Sequence, residues 1–357
     1  MSVNRRTAIK VAAKGALGAA LFPTIISRAS AQDKQLHVGV YNSALGKIVQ
    51  KDVIPEFEAK HKCRVFTIEG ATLSNIAALR ATRTTPKFSV MMMDDVGVPQ
   101  AKQEELIDKL DPAKIPNLAK VYKRFLFEDG YGVGFNISSA GMFINPQVTK
   151  GLTSYEQIFE PQYKKRILLN TPRNTQSVLM LIVATALATG KPLKDAQYLI
   201  DQGWDKLAQL KPNVLTIYDS EAMVMMVPQG QASIGGIEYS KSIYPHAAKG
   251  VPIDMASLKE GAFTGINSMT LVKNAPEPEL GAAFINHMLQ PSVLQMLSSR
   301  TYGAPSVEGI DFAADVARYL AYPESKMVDM GLFTPDWNFI IPRRAPVLER
   351  YNQLFTS

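Results

Sequence analysis

Two adjacent carboxylates, Asp94 and Asp95, end the run Phe88 to Met93, apolar but for Ser89. In that position a carboxylate can receive an ammonium group or cap the turn that follows. Further along, Thr171-Pro172-Arg173-Asn174-Thr175 leads into a strongly apolar helical segment, with Gln176 and Ser177 in its first turn. Free backbone N–H groups, hydroxyls and a guanidinium meeting there suit a carboxylate or phosphonate, although plain helix capping beside a solvated arginine uses the same residues. Three further groups stand at element ends: Ser43 and Ala44 in a polar turn, Glu238 and Tyr239 in the loop after a short strand, and Asn267 with Ser268.

The other side chains capable of chemistry form no catalytic pattern. No G-x-S-x-G occurs, and the single cysteine, Cys63, lies in strand context and reads as a buried small hydrophobe. His37, His61, His246 and His287 are scattered without metal-ligand spacing. There is no P-loop, and Gly130-Tyr131-Gly132-Val133-Gly134 lacks the strand-then-helix setting of a dinucleotide fingerprint, so a crossover or turn is expected there. Neither catalysis, a metal nor a cofactor is expected.

The elements that must position these residues alternate. Leu36 to Tyr41 reads as a strand, and Ile48, Val49, Val53, Ile54 and Phe57 recur at helical spacing after it. Arg64 to Ile68 predicts a second strand, Ser74 to Thr82 a helix, and Phe88 to Met93 a strand buried on both faces. The alternation resumes after Gly130, with strands at Gly141 to Asn145, Arg166 to Asn170, Ala232 to Gly236 and Ile253 to Ser257. Helices are expected at Thr175 to Thr189 and Ala196 to Leu210, with a last one over Ala345 to Leu354. This order predicts two α/β lobes with largely parallel sheets. The apolar run Ser177 to Ala188 is too short to span a bilayer and reads as a buried helix.

Composition narrows the partners. The chain of 357 residues carries 39 Lys+Arg against 32 Asp+Glu. Five of the bases (Arg5, Arg6, Lys10, Lys14 and Arg28) precede Gln32 in a stretch without acids, which leaves the remainder at 34 against 32. So nearly neutral a body offers no broad footprint for phosphate backbones, and nucleic acid is excluded as a partner. Met1 to Ala31 has a basic start, an apolar stretch from Val11 to Ile26 and the small-x-small ending Ala29-Ser30-Ala31. It reads as a signal peptide of residues 1–31 cleaved after Ala31, giving an exported, periplasmic protein with no direct membrane anchor. Asn4-Arg5-Arg6-Thr7-Ala8-Ile9-Lys10 is similar to a twin-arginine export signal, while a basic Sec n-region fits the same residues.

On this background the chain resembles the solute-binding components of ABC importers of the type II periplasmic-binding class, specifically their spermidine/putrescine-binding branch. The carriers are Tyr41-Asn42, Asp94-Asp95, Gly130 to Gly134, Pro252-Ile253-Asp254, Lys259-Glu260-Gly261, Leu271 to Pro276 and Tyr302-Gly303-Ala304-Pro305, in that order. The resemblance implies an α/β, two-lobed type II periplasmic-binding-protein fold with hinge strands near Phe135 and Ile266 and an interlobe cleft. Lobe 1 would comprise 32–135 plus 266–303, and lobe 2 136–265 plus 304–357. It also implies a monomer whose partners are a small-molecule solute, an ABC permease and, through the permease, its ATPase subunit. In the cleft the resemblance and the residues together place Ser43, Ala44, Asp94, Asp95, Thr171, Arg173, Thr175, Tyr239, Asn267, Trp337 and Asn338.

Polyamine binders of the branch carry a Trp and an Asp where this chain has Gly265 and Asn267, and acids where it has Thr171 to Thr175. A positive group on one wall and a carboxylate on the other point to a small zwitterionic or anionic organic solute. The alternatives are a polyamine receptor of the same family, a secreted enzyme using the cleft, or a sensor subunit that presents its ligand without transport.

Overall fold

The computed structural model describes residues 34–172 and 174–356, with Glu221 and Thr356 by backbone alone. The signal-peptide reading, its twin-arginine variant and the cleavage after Ala31 lie outside the described residues, as does Arg173.

Eight longer strands set the architecture: β1 Lys34–Tyr41, β2 Cys63–Gly70, β3 Val90–Asp94, β4 Gly132–Ile144, β5 Ile167–Asn170, β6 Val214–Tyr218, β7 Ile234–Tyr239 and β8 Ala262–Val272. They hydrogen-bond side by side in the order β2-β1-β3-β8-β4-β7-β5-β6. The pairs β1/β2 and β1/β3 are parallel, as are β7/β5 and β5/β6, whereas β8 and β4 run antiparallel to their neighbours. Two parallel blocks are therefore joined through a central antiparallel pair. One end of β8 pairs with β3, from Asn267 opposite Asp94 to Leu271 opposite Val90. The far end of β4 pairs with β7, from Ala140 opposite Tyr239 to Ile144 opposite Ile234. Between these ends β8 and β4 pair with each other, and their register slips at a bulge between Asn267 and Ser268. A bulge bends and twists a strand locally, which suits a bend between the two blocks.

The strands form for the reasons the sequence suggests. Leu36, Val38 and Val40 of β1 alternate along the pleat and are fully buried, and β3 sends Val90 and Met92 into one apolar cluster and Met91 and Met93 into another. The helix Gln176–Thr189 is buried from Gln176 to Ala186 and ends on Gly190 in the left-handed conformation at φ 67°. Among the described residues no single helix is long and apolar enough to cross a membrane.

Two large clusters divide the core. One contains Val38, Phe57, Phe135, Phe284 and Leu297 and takes in residues between Ala304 and Leu332; the other contains Leu179, Ile182, Trp204, Phe263, Trp337 and Tyr351. Each fully buried Phe or Leu in them contributes about 2 kcal/mol by leaving water. Cys63 is buried, as expected.

The structure corrects several sequence expectations. The segment predicted as a strand over Gly141 to Asn145 is the end of the much longer β4, and Gly132 and Gly134 lie in that strand rather than in a turn. Glu238 and Tyr239 are the last residues of β7, not part of a loop. The single helix expected over Ala196 to Leu210 is three short helical pieces. Leu199 there departs from helical geometry, and Gly203 packs so closely on Thr185 that a Cβ would stand 2.2 Å from its hydroxyl. Strand β6 has no counterpart in the periodicity reading.

Candidate functional site

The carboxyl ends of the parallel strands of both blocks meet at one cleft on the bulged pair, where open α/β sheets bind ligands. The cleft has two compartments that share Asp94, Lys241 and Ser242. The first, of about 290 Å3, lies among Asp95, Thr175, Gln176, Tyr218, Asp219, Glu238, Tyr239, Gly265 and Trp337. The second, of about 360 Å3, lies among Tyr41, Asn42, Ser43, Ala44, Thr72, Asn136, Asn267, Arg300 and Thr301. A separate groove of about 210 Å3 beside Leu79, Arg83 and Lys273 contains none of the residues singled out in the sequence.

On the β3 side the two aspartates do different work. Asp94 Oδ2 accepts from the Thr72 hydroxyl at 2.8 Å, and its Oδ1 accepts from Asn267 Nδ2 at 2.8 Å. Asp95 is 5% exposed. Its Oδ1 accepts from the Val96 N–H at 3.0 Å, which is the capping role expected for one of the pair. Among the described residues its Oδ2, which is buried, has no hydrogen-bond partner, and neither has Nε1 of Trp337. The Trp337 indole is the strongest of the groups that favour the charged form of Asp95. Burial dominates and pushes the Asp95 carboxyl up to about 7; Asp94 adds to the rise, and Trp337, the Val96 N–H and Lys241 oppose it.

The β7 side holds its carboxylate firmly. Asn170 Nδ2 donates to the Tyr218 hydroxyl at 2.8 Å, and that hydroxyl donates to Glu238 Oε2 at 3.0 Å. Glu238 Oε1 accepts from the Tyr239 N–H at 2.8 Å. Burial, with Glu238 beside it, holds the Tyr218 hydroxyl protonated far above the usual tyrosine range. The hydroxyls of Tyr239 and Thr175 lie 3.4 Å apart, and the Tyr239 ring lies over Gly265, where a Cβ would stand 2.1 Å from the ring edge. The aromatic wall thus comes from β7 and covers the place where β8 has no side chain.

Of the residues expected in the cleft, the structure gathers Asp94, Asp95, Thr175, Tyr239 and Trp337 in the first compartment and Ser43, Ala44, Asp94 and Asn267 in the second. Two fall outside both. Thr171 is buried at the end of β5, its N–H bonded to the Tyr218 carbonyl. Asn338 is exposed and donates to Glu128 at 2.7 Å, because the short helix Trp337–Ile340 turns only Trp337 and Ile340 inward. Sequence reasoning missed Lys241, Thr72, Tyr218, Asp219 and Arg300. The alternation Val-Leu-Thr-Ile-Tyr could have signalled β6 and with it Tyr218. Among the described residues no group of three or more His, Cys, Asp or Glu side chains could hold a metal ion.

Residues 52–324 match the model of the family described as bacterial extracellular solute-binding protein, and the chain belongs to that family. The spermidine/putrescine-binding periplasmic protein of Escherichia coli K12 is 22% identical over 266 residues, covering 72% of this chain and 74% of that one. An ABC transporter structure from Clostridium perfringens superposes with a TM-score of 0.76 at 20% identity, covering 90% of this chain and 99% of that one. A spermidine/putrescine transporter substrate-binding protein from Streptococcus pneumoniae gives 0.72 at 15% identity, covering 90% and 99%. The fold is the two-lobed α/β architecture of periplasmic binding proteins.

Proposed function

We propose that this protein is the periplasmic receptor of an ABC importer. It captures a small zwitterionic or anionic organic solute by closing two lobes, then docks on a membrane permease whose ATPase subunit supplies the work. The observation that carries this reading is the cleft itself. It opens at the strand ends, across a bulged two-strand bridge, and is lined by the buried Asp95, whose Oδ2 makes no hydrogen bond to any described residue. A buried polar atom without a partner is costly, and a ligand ammonium would relieve that cost.

In this reading lobe 1 comprises residues 32–135 with 266–333, and lobe 2 residues 136–265 with 334–357. The packing of Ala304 to Leu332 with the first core cluster and of Trp337 to Tyr351 with the second supports placing the last boundary near 333 rather than 303. Residues 1–31 direct export by the twin-arginine or Sec route and are removed after Ala31. The mature protein acts as a monomer and converts nothing. A second reading, a polyamine receptor, is favoured by the four carboxylates of the first compartment, Asp94, Asp95, Asp219 and Glu238, and by the polyamine-binding relatives. Gly265 and Asn267 count against it.

The test is native mass spectrometry of the protein purified from its own periplasm, with identification of the released compound. The expected result is one intact solute that raises the melting temperature on re-addition. Chemical conversion of that compound by the protein would overturn the receptor reading in favour of an enzyme.

A further inference from the structure

Lys241 stands two residues beyond the end of Glu238's contact with the Tyr239 N–H, in the first turn of the helix Ser240–Ala247, and it borders both compartments of the cleft. Its ammonium donates to Asn267 Oδ1 at 2.9 Å and lies 5.4 Å from the centre of the Tyr239 ring. Among the described residues no carboxylate lies within 4.0 Å of it, whereas Arg300, at the edge of the second compartment, is paired with Asp52 at 2.6 Å. The arrangement around Asn267 maintains this. The amide accepts from Lys241 on one side and donates to Asp94 on the other, so a neutral group stands between the cation and that carboxylate. A half-buried ammonium whose direct partners are a neutral acceptor and an aromatic face has lost part of its water without gaining an ion pair.

We propose that Lys241 is the anion receptor of the cleft and selects solutes with a carboxylate or phosphonate end over diamines. The proposal rests on the receptor reading above and names the charge at one end of the solute. The anionic end pairs with Lys241 at the junction of the compartments, on the side that Asn42 and Ser43 also line, while the ammonium end faces Asp95. A diamine of the same length would bring its second ammonium against Lys241, and like charges in a partly desolvated site repel.

The experiment is titration calorimetry on the mature protein with three probe series of matching chain length: short α,ω-diamines, ω-amino acids and ω-aminoalkylphosphonates. The wild type is expected to bind an amino acid or aminophosphonate at least about tenfold more tightly than the diamine of equal length. Lys241→Met should erase that preference while leaving diamine affinity unchanged or raised. Asn267→Asp, which supplies Lys241 with an internal counter-ion, should weaken the anionic probes in the same way with Lys241 still present. Tighter binding of a diamine by the wild type would overturn the proposal and leave the receptor reading standing. Equal weakening of all series by Lys241→Met would also overturn it, because Lys241 would then be only a tether for Asn267. Failure of every series to bind overturns it too, and the receptor reading is then decided separately by the co-purified solute.

Discussion

The two walls of the cleft each bury a carboxylate and treat it in opposite ways. Glu238, at the end of β7, has both oxygens engaged, one by the Tyr218 hydroxyl and one by the Tyr239 N–H, and the tyrosine is itself held by Asn170. Asp95, just past β3, spends one oxygen on the Val96 N–H and keeps the other bare beside Trp337. A carboxylate whose acceptor capacity is filled from within stiffens the wall that holds it. One left half-satisfied at the same depth raises the free energy of the empty cleft and lowers it when a donor arrives. We therefore assign the Glu238 carboxylate to the framework of the β7 wall and the Asp95 carboxylate of the β3 wall to the solute.

Breaking the framework should destabilise the fold at every pH. Glu238→Ala leaves the Tyr218 hydroxyl without its acceptor and the Tyr239 N–H unpaired, and should cost about 3 kcal/mol of stability in urea denaturation. A loss under about 1 kcal/mol would erase the contrast between the walls. Asp95→Asn should act in the opposite direction. Its carboxyl rises from its usual 3.8 to about 7 in the native state, so between those values the folded protein holds a proton that the unfolded chain has released. Stability is full below the lower value and falls as pH rises through the upper one, by at most about 4 kcal/mol. The variant should lack that component, and the difference between its denaturation curves and the wild type's from acid to mild alkali measures it.

Smaller effects sharpen the comparison. Gly265→Ala places a Cβ against Tyr239 and should displace the ring, weakening solute binding about tenfold; in calorimetry Tyr239→Ala should lose as much and the double variant no more. Asn338→Ala removes an exposed hydrogen bond to Glu128 and should change stability by less than about 0.5 kcal/mol, with solute affinity unchanged.

Residues at the ends of the recognised strands were legible in the sequence on both walls, whereas Tyr218, on a strand the reading did not include, was not. Asp94 and Asp95 end a run of fully buried residues, and a polar pair there can only fall at a strand terminus. Tyr239, Trp337, Ser43, Ala44 and Asn267 likewise stand at element ends or on the crossing strand that the family resemblance marks. Lys241 left no local signal. A lysine in the first turn of a short helix ordinarily points to water, and its role comes from the register that sets Asn267 opposite Asp94 on a strand distant in the chain. The length of β4 was hidden by its glycines. Gly134 and Gly132 read as turn residues, whereas in the fold they admit the side chains of Ile266 and Val98 close to the backbone.

The central claim, that the bare oxygen of Asp95 receives the positive end of the solute, is tested most directly by counting protons. Calorimetric titration with the co-purified solute at pH 7 and below, in buffers of different ionisation enthalpy, gives the number exchanged on binding. A carboxyl raised to about 7 keeps part of its proton in the empty cleft and loses it on pairing with an ammonium group, so net proton release that grows as the pH is lowered is expected, and none from Asp95→Asn. Binding without proton exchange in the wild type, or the same release from the variant, would contradict the account.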